Sequence, residues 1–154
     1  MQTDDLKNEI NSGTAVLLST TPATYSVANL HGNFAAQVNL WSADPAIDDQ
    51  GDVAISSFDG KGNVKGSATQ MDQGALSKLT MAGTYAVNPD GTCSMSLVIS
   101  GVTTPSLFAC AINSLGAGGV ARGMQLLLTN PGPRGSDNTT NYILSGSAVT
   151  QGTP

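Results

Sequence analysis

The chain has 154 residues, enough for one domain with a sizeable core, and only 11% of them are charged. Its net charge of −5 comes with six scattered basic residues, which leaves no basic footprint for nucleic acid or anionic lipid. Gly, Ser, Thr and Asn make up about 40% of the chain, which argues against long helices, while the periodic spread of the 40% apolar content argues for a folded domain.

Residues 1–23 read as a lead-in. Thr3 or Asp4 can cap a short helix running to Ile10, with Glu9 near enough to help, and Asn11-Ser12-Gly13 then breaks it. Thr14 to Ser19 is apolar enough for a strand or for a cover over a sheet edge. The opening Met1-Gln2-Thr3-Asp4-Asp5 is acidic where a signal peptide carries its basic region. Either the protein stays inside the cell, or Met1 is a start placed on a mature exported chain; composition and cysteine content favour the second.

Residues 24–154 read as one β domain. Eight strands are expected in simple succession: 33–41, 52–58, 63–70, 77–87, 92–100, 106–113, 120–129 and 141–150. Asn88-Pro89-Asp90-Gly91 is the firmest of the turns between them. Pro89 sets φ for a type I turn, Asp90 suits the next position, and Gly91 supplies the left-handed residue from which a strand leaves in register. Asp59-Gly60-Lys61-Gly62-Asn63 marks a second hairpin. The expected fold is therefore an all-β, eight-stranded, up-and-down antiparallel meander closed into a barrel, with a β-sandwich as the alternative.

Strand parity sketches the interior. Phe34, Ala36, Val38 and Leu40 share a face, as do Cys93, Met95, Leu97 and Ile99. So do Phe108, Cys110 and Ile112, and Tyr142, Leu144, Gly146 and Ala148. No apolar run is long enough to span a membrane as a helix, the longest being Met124-Gln125-Leu126-Leu127-Leu128. Seven aromatic residues are too few for the girdles of a membrane barrel.

Few residues offer chemistry. Cys93 and Cys110 fall opposite each other if strands 92–100 and 106–113 form a hairpin turning near Gly101-Val102. They read as a disulfide candidate or as two buried thiols, with Pro105 complicating the register. His31 is the single histidine, so any Ser–His–Asp triad has to use it, and no Gly-x-Ser-x-Gly elbow accompanies it. Asp44, Asp48, Asp49 and Asp52 form one acidic cluster, read as a solvated rim in preference to a calcium loop. Arg122 falls by parity with Met124, Leu126 and Leu128. Facing inward it needs a carboxylate or an anionic ligand, facing outward it leaves those three exposed as an oligomer contact, and the commonest case is a strand-end arginine reaching solvent. Gly116-Ala117-Gly118-Gly119 precedes a strand, so it reads as a flexible hairpin loop and not as a phosphate loop. Asn138-Thr139-Thr140 has the form of a glycosylation acceptor. No catalytic residue, metal site or cofactor is assigned.

Four motifs carry a resemblance: Leu30-His31-Gly32-Asn33-Phe34, Phe58-Asp59-Gly60-Lys61-Gly62-Asn63, Gly83-Thr84-Tyr85-Ala86-Val87-Asn88-Pro89-Asp90-Gly91, and Leu144-Ser145-Gly146-Ser147-Ala148-Val149-Thr150-Gln151. Over residues 30–151 the chain resembles a loosely defined group of secreted bacterial proteins of undefined activity. The resemblance implies a calycin-like barrel and a secreted, periplasmic or cell-surface location. Avidin-like binders line their pocket with several tryptophans, and Trp41 alone cannot do so.

The function expected from these readings is binding, not catalysis, with a small apolar ligand in the barrel mouth or a protein partner. The alternatives are a surface-exposed, antigen-like module with a filled barrel, acting through loops 42–51 and 130–138, and an enzyme of the barrel-cyclase type. A cavity of a few hundred Å³ favours a ligand or a cyclase; a packed interior favours the interaction module.

Overall fold

The computed structural model describes residues 24–42, 50–72, 74–129 and 142–151. Eight antiparallel strands close into a barrel: β1 His31–Ser42, β2 Gln50–Asp59, β3 Asn63–Asp72, β4 Ala75–Val87, β5 Thr92–Ile99, β6 Ser106–Leu115, β7 Ala121–Leu128 and β8 Tyr142–Thr150. Each strand pairs with its sequence neighbours, and β1 pairs with β8 to complete the ring. The meander expected from turn spacing is this barrel, and the sandwich alternative falls. The lead-in expected over residues 1–23 lies outside the described residues.

The register sets the barrel's dimensions. From Val38 the pairing runs through Asp52 and Gln70 to Ser77 on β4. In the other direction it runs through Gly146, Leu126, Cys110 and Cys93 to Val87. The two routes meet β4 ten positions apart, at Ser77 and Val87. A stagger of that size with eight strands tilts them by roughly 40°. Tilted strands have to coil, and two inward-facing glycines show where neighbouring backbones close in. A Cβ at Gly83 would collide with the Ser96 carbonyl, and one at Gly146 with that of Gln37.

The two ends differ. At the closed end, Phe34 packs edge-on against Phe58 with centroids 5.2 Å apart, and Phe58 against Tyr85 at 5.1 Å. The segment 24–30 lies across this floor. Leu30 is fully buried, and Val27–Asn29 forms one turn of 3-10 helix. The Tyr85 hydroxyl donates to the Leu30 carbonyl at 2.7 Å, with the Val27 carbonyl at 3.1 Å. Two more bonds pin the segment to closed-end turns: Tyr25 N–H to the Pro89 carbonyl, and Asn29 Nδ2 to the Gly119 carbonyl at 2.6 Å. The Gly116–Gly119 stretch is thus a held 3-10 turn, with Gly118 and Gly119 at positive φ, where a flexible loop was expected.

Cys93 and Cys110 are direct register partners and form a disulfide, buried between β5 and β6. Pro105 lies in the loop between these strands, so it leaves their register undisturbed. No helix among the described residues is long and apolar enough to cross a membrane. The inward face is mainly apolar; outward positions mix Asn33, Gln37, Lys65, Lys78 and Gln125 with Val53, Ile55, Leu107 and Leu127.

Replacing Tyr85 by Phe keeps the ring but leaves the buried Leu30 carbonyl short of its donor, and should cost about 1–3 kcal/mol in urea unfolding. A loss under half a kcal/mol would show that the floor does not depend on this bond. The C93A/C110A double variant should lose about 3 kcal/mol, the chain-entropy value for a loop closed across a separation of 17 residues. An unchanged unfolding midpoint would show that the bridge contributes nothing to the fold's stability.

Candidate functional site

The described strands do not fill the barrel between them. Above the aromatic floor lies a cavity of about 590 Å³ that opens at the opposite end, under the β5–β6 loop 100–105. Its existence follows from side-chain size. The closed half is plugged by Phe34, Phe58, Tyr85 and Met95, whereas the next rung carries Ala36, Ala54 and Ala68 side by side on β1, β2 and β3. Three methyl groups on adjacent strands cannot reach the barrel axis, and the space they leave is the cavity.

Its two walls differ in chemistry. The wall built by β5, β6 and β7 is apolar, from Met95, Leu97, Phe108, Met124 and Leu126. The β2–β4 wall carries the polar groups: Ser56, whose hydroxyl donates to the Met81 sulfur at 3.7 Å, and a rung of Asp52, Gln70 and Ser77 nearer the mouth. Asp52 is the single ionisable side chain among the described residues lining the cavity, and its Oδ1 is withdrawn from solvent. Ser100, Thr103, Thr104 and Ser106 supply hydroxyls at the rim.

The other ionisable groups among the described residues lie elsewhere. His31 is exposed at the closed end, opposite Asp59 in the register, far from the mouth in strand order. Arg122 is also exposed, as a strand-end arginine reaching solvent, and only the face it was expected to share with Met124, Leu126 and Leu128 is corrected. A bulge between Ile112 and Leu115 shifts the β6–β7 register, so that Gly123 and Met124 are both buried and Arg122 turns outward over Gly116. Of the acidic cluster, Asp44, Asp48 and Asp49 lie outside the described residues, and Asp52 points into the barrel. No group of three potential metal ligands occurs among the described residues. Asn138-Thr139-Thr140 and most of the loops 42–51 and 130–138 also lie outside the described residues. Of the face-sharing residues, Phe34, Ala36, Val38, Met95, Leu97, Ile99, Phe108 and Ala148 line the cavity.

Asp52 and Gln70 were not singled out as cavity residues by sequence reasoning. The signal was present: Asp52 alternates in phase with Ala54, Ser56 and Phe58 on a strand whose inward end is marked by Phe58. Its nearness in sequence to Asp48 and Asp49 obscures that phase.

Two perturbed carboxylates sit in closed-end turns and serve structure. The Asn63 side-chain amide, then the Asn63 and Lys61 backbone N–H groups, donate to Asp59 and lower its pKa from 3.8 to about 2. Thr92 donates to Asp90 through its hydroxyl and its N–H and lowers that pKa too. Burial raises the pKa of Tyr85. None of the three is a general acid or base poised near neutrality.

Compared with known proteins, the chain matches no family model, no curated protein and no solved structure.

Both turn carboxylates are depressed in the folded state, so their stabilisation is present above the unfolded value of 3.8 and is lost as pH falls through their lowered folded values, about 2 for Asp59. The melting temperature should therefore drop between about pH 4 and pH 2, and D59A should flatten that drop. An equally steep acid limb in D59A would remove Asp59 from the explanation.

Proposed function

We propose that this protein binds a small, mainly apolar molecule inside the barrel, admitted through the mouth beneath loop 100–105. The observation that carries the reading is the cavity of about 590 Å³, which falls within the range usual for small-molecule sites. Its lining is predominantly aliphatic and aromatic, with polar groups on the β2–β4 wall and at the rim, the pattern that gives affinity through burial and orientation through hydrogen bonds.

A filled barrel acting only through its outer loops fits less well with a cavity between the described strands, where that reading requires packing. A cyclase-type enzyme would use the same cavity but asks for an acid and a base facing one substrate. The described lining offers Asp52 alone. Binding asks for less and is the reading we adopt. The disulfide fits an oxidising compartment, which supports a secreted, periplasmic or cell-surface carrier, as in the bacterial group that the turn motifs resemble.

The test is titration with the neutral fluorescent probe N-phenyl-1-naphthylamine. Saturable binding is expected in the wild type, and A54F, which projects a ring into the cavity, should weaken it by about tenfold or more while the melting temperature stays within a few degrees. Saturable binding that A54F leaves untouched would put the probe elsewhere, and no binding at all would sink the proposal.

A further inference from the structure

We infer that the cavity selects a flat, rigid ligand: a fused-ring aromatic molecule that lies against the β8–β1–β2–β3 wall and is covered on its other face by methionines. This inference rests on the binding reading above and specifies its ligand class.

The argument begins with the shape of one wall. Ala148, Ala36, Ala54 and Ala68 are successive register partners on β8, β1, β2 and β3, and all four line the cavity. Paired strands stand about 4.7–4.9 Å apart, so the row runs for about 14 Å across neighbouring strands. Alanine is depleted in strands, where branched and aromatic side chains cover the pleated surface better, yet it holds the same rung on four neighbours here. Departures from local preference of this kind gather where a structure serves function. The row makes a low wall on which no side chain projects beyond the next. Dispersion is forfeited wherever a gap opens between two surfaces, so such a wall gives its greatest contact to a flat face. Two twisted rings meet it along an edge, and a flexible ligand gives up internal freedom to lie flat.

The facing wall supplies the complement. Met81, Met95 and Met124 line the cavity from β4, β5 and β7, and Phe108 lies on β6 between the last two strands. A methionine side chain is unbranched and turns about three bonds, so it settles on whatever surface the ligand presents. Its thioether sulfur makes favourable contacts with aromatic rings, and Phe108 offers a ring to the same ligand. The site is the cavity as a whole: the alanines set its shape, and the thioethers set its preference for aromatic carbon.

The experiment is competition against N-phenyl-1-naphthylamine with three aromatic hydrocarbons of equal carbon number, each below its solubility limit. Phenanthrene is flat and fused, 2,2′-dimethylbiphenyl is held twisted by its methyl groups, and bibenzyl is flexible. Phenanthrene should displace the probe at a concentration about tenfold lower than either of the others. A54V and A36V each raise a ridge on the smooth wall for little volume; they should bring phenanthrene within about twofold of bibenzyl while bibenzyl itself stays within about twofold of its wild-type value. M81L/M124L, which conserves volume, should weaken phenanthrene by about threefold. Equal displacement by the three hydrocarbons in the wild type, or a phenanthrene advantage that survives both alanine variants, would overturn the inference. An unchanged phenanthrene value in M81L/M124L would overturn its aromatic part. The wild-type ranking decides the question by itself if the variants do not fold. Probe binding that none of the three competes for would overturn the inference and leave the apolar-ligand reading standing, whereas absence of probe binding would overturn both.

Discussion

Closure of the sheet by the β1–β8 pairing is the constraint from which the rest of the architecture follows. Seven of the eight strand pairings join neighbours in sequence; the eighth joins residues more than a hundred positions apart, Phe34 with Thr150 and Val38 with Gly146. Without it, β1 and β8 would each expose a row of unpaired backbone groups, and the interior would have no enclosing wall. With it, strand number and stagger together set the bore, and side-chain size at each rung decides what fills that bore. Aromatic rings fill one half and alanines leave the other half hollow. The cavity is therefore a consequence of closure plus a local choice of small residues.

The closed end shows why the hollow half can be tolerated. A void in a core forfeits dispersion contacts, and its lining is cheaply disturbed unless the remaining structure is firmly held. Here the floor is held redundantly. The edge-on aromatic series Phe34–Phe58–Tyr85 sits beneath Leu30, and the 24–30 segment is pinned by Tyr85, Pro89 and Gly119. Both hydrogen-bonded carboxylates, Asp59 and Asp90, and the disulfide also lie in the closed half or its turns. Rigidity gathers at one end and access at the other.

Much of the fold could be read from the sequence because it is carried by local chemistry. The Asn88–Gly91 turn forms as its residues dictate: Asn88 N–H donates to the Thr92 carbonyl, Gly91 N–H to the Asn88 carbonyl, and Thr92 N–H to the Asp90 carboxylate. All eight strands lie where alternation and turn residues put them, within a few residues at each end. Parity failed at Arg122, where a bulge in the β6–β7 pair breaks the two-residue period; a bulge depends on how two strands fit together and leaves little trace in either alone. The site was less legible. A cavity is the absence of side chains at a rung shared by three strands, and no single strand reveals it. Asp52 shows the same difficulty, since its meaning depends on which side of the sheet closes inward, and Phe58, six residues away, was the guide to that.

The direction in which the chain enters and leaves the barrel has a further consequence. His31 begins β1 at the floor and Thr150 ends β8 there, and Gln151 N–H still bonds the Asn33 carbonyl at 2.8 Å. Both ends of the barrel chain thus meet on the face opposite the mouth. Anything joined to them, whether a support, a surface or a fused reporter, would hold the protein like a cup by its base, with the rim and loop 100–105 turned toward the surroundings.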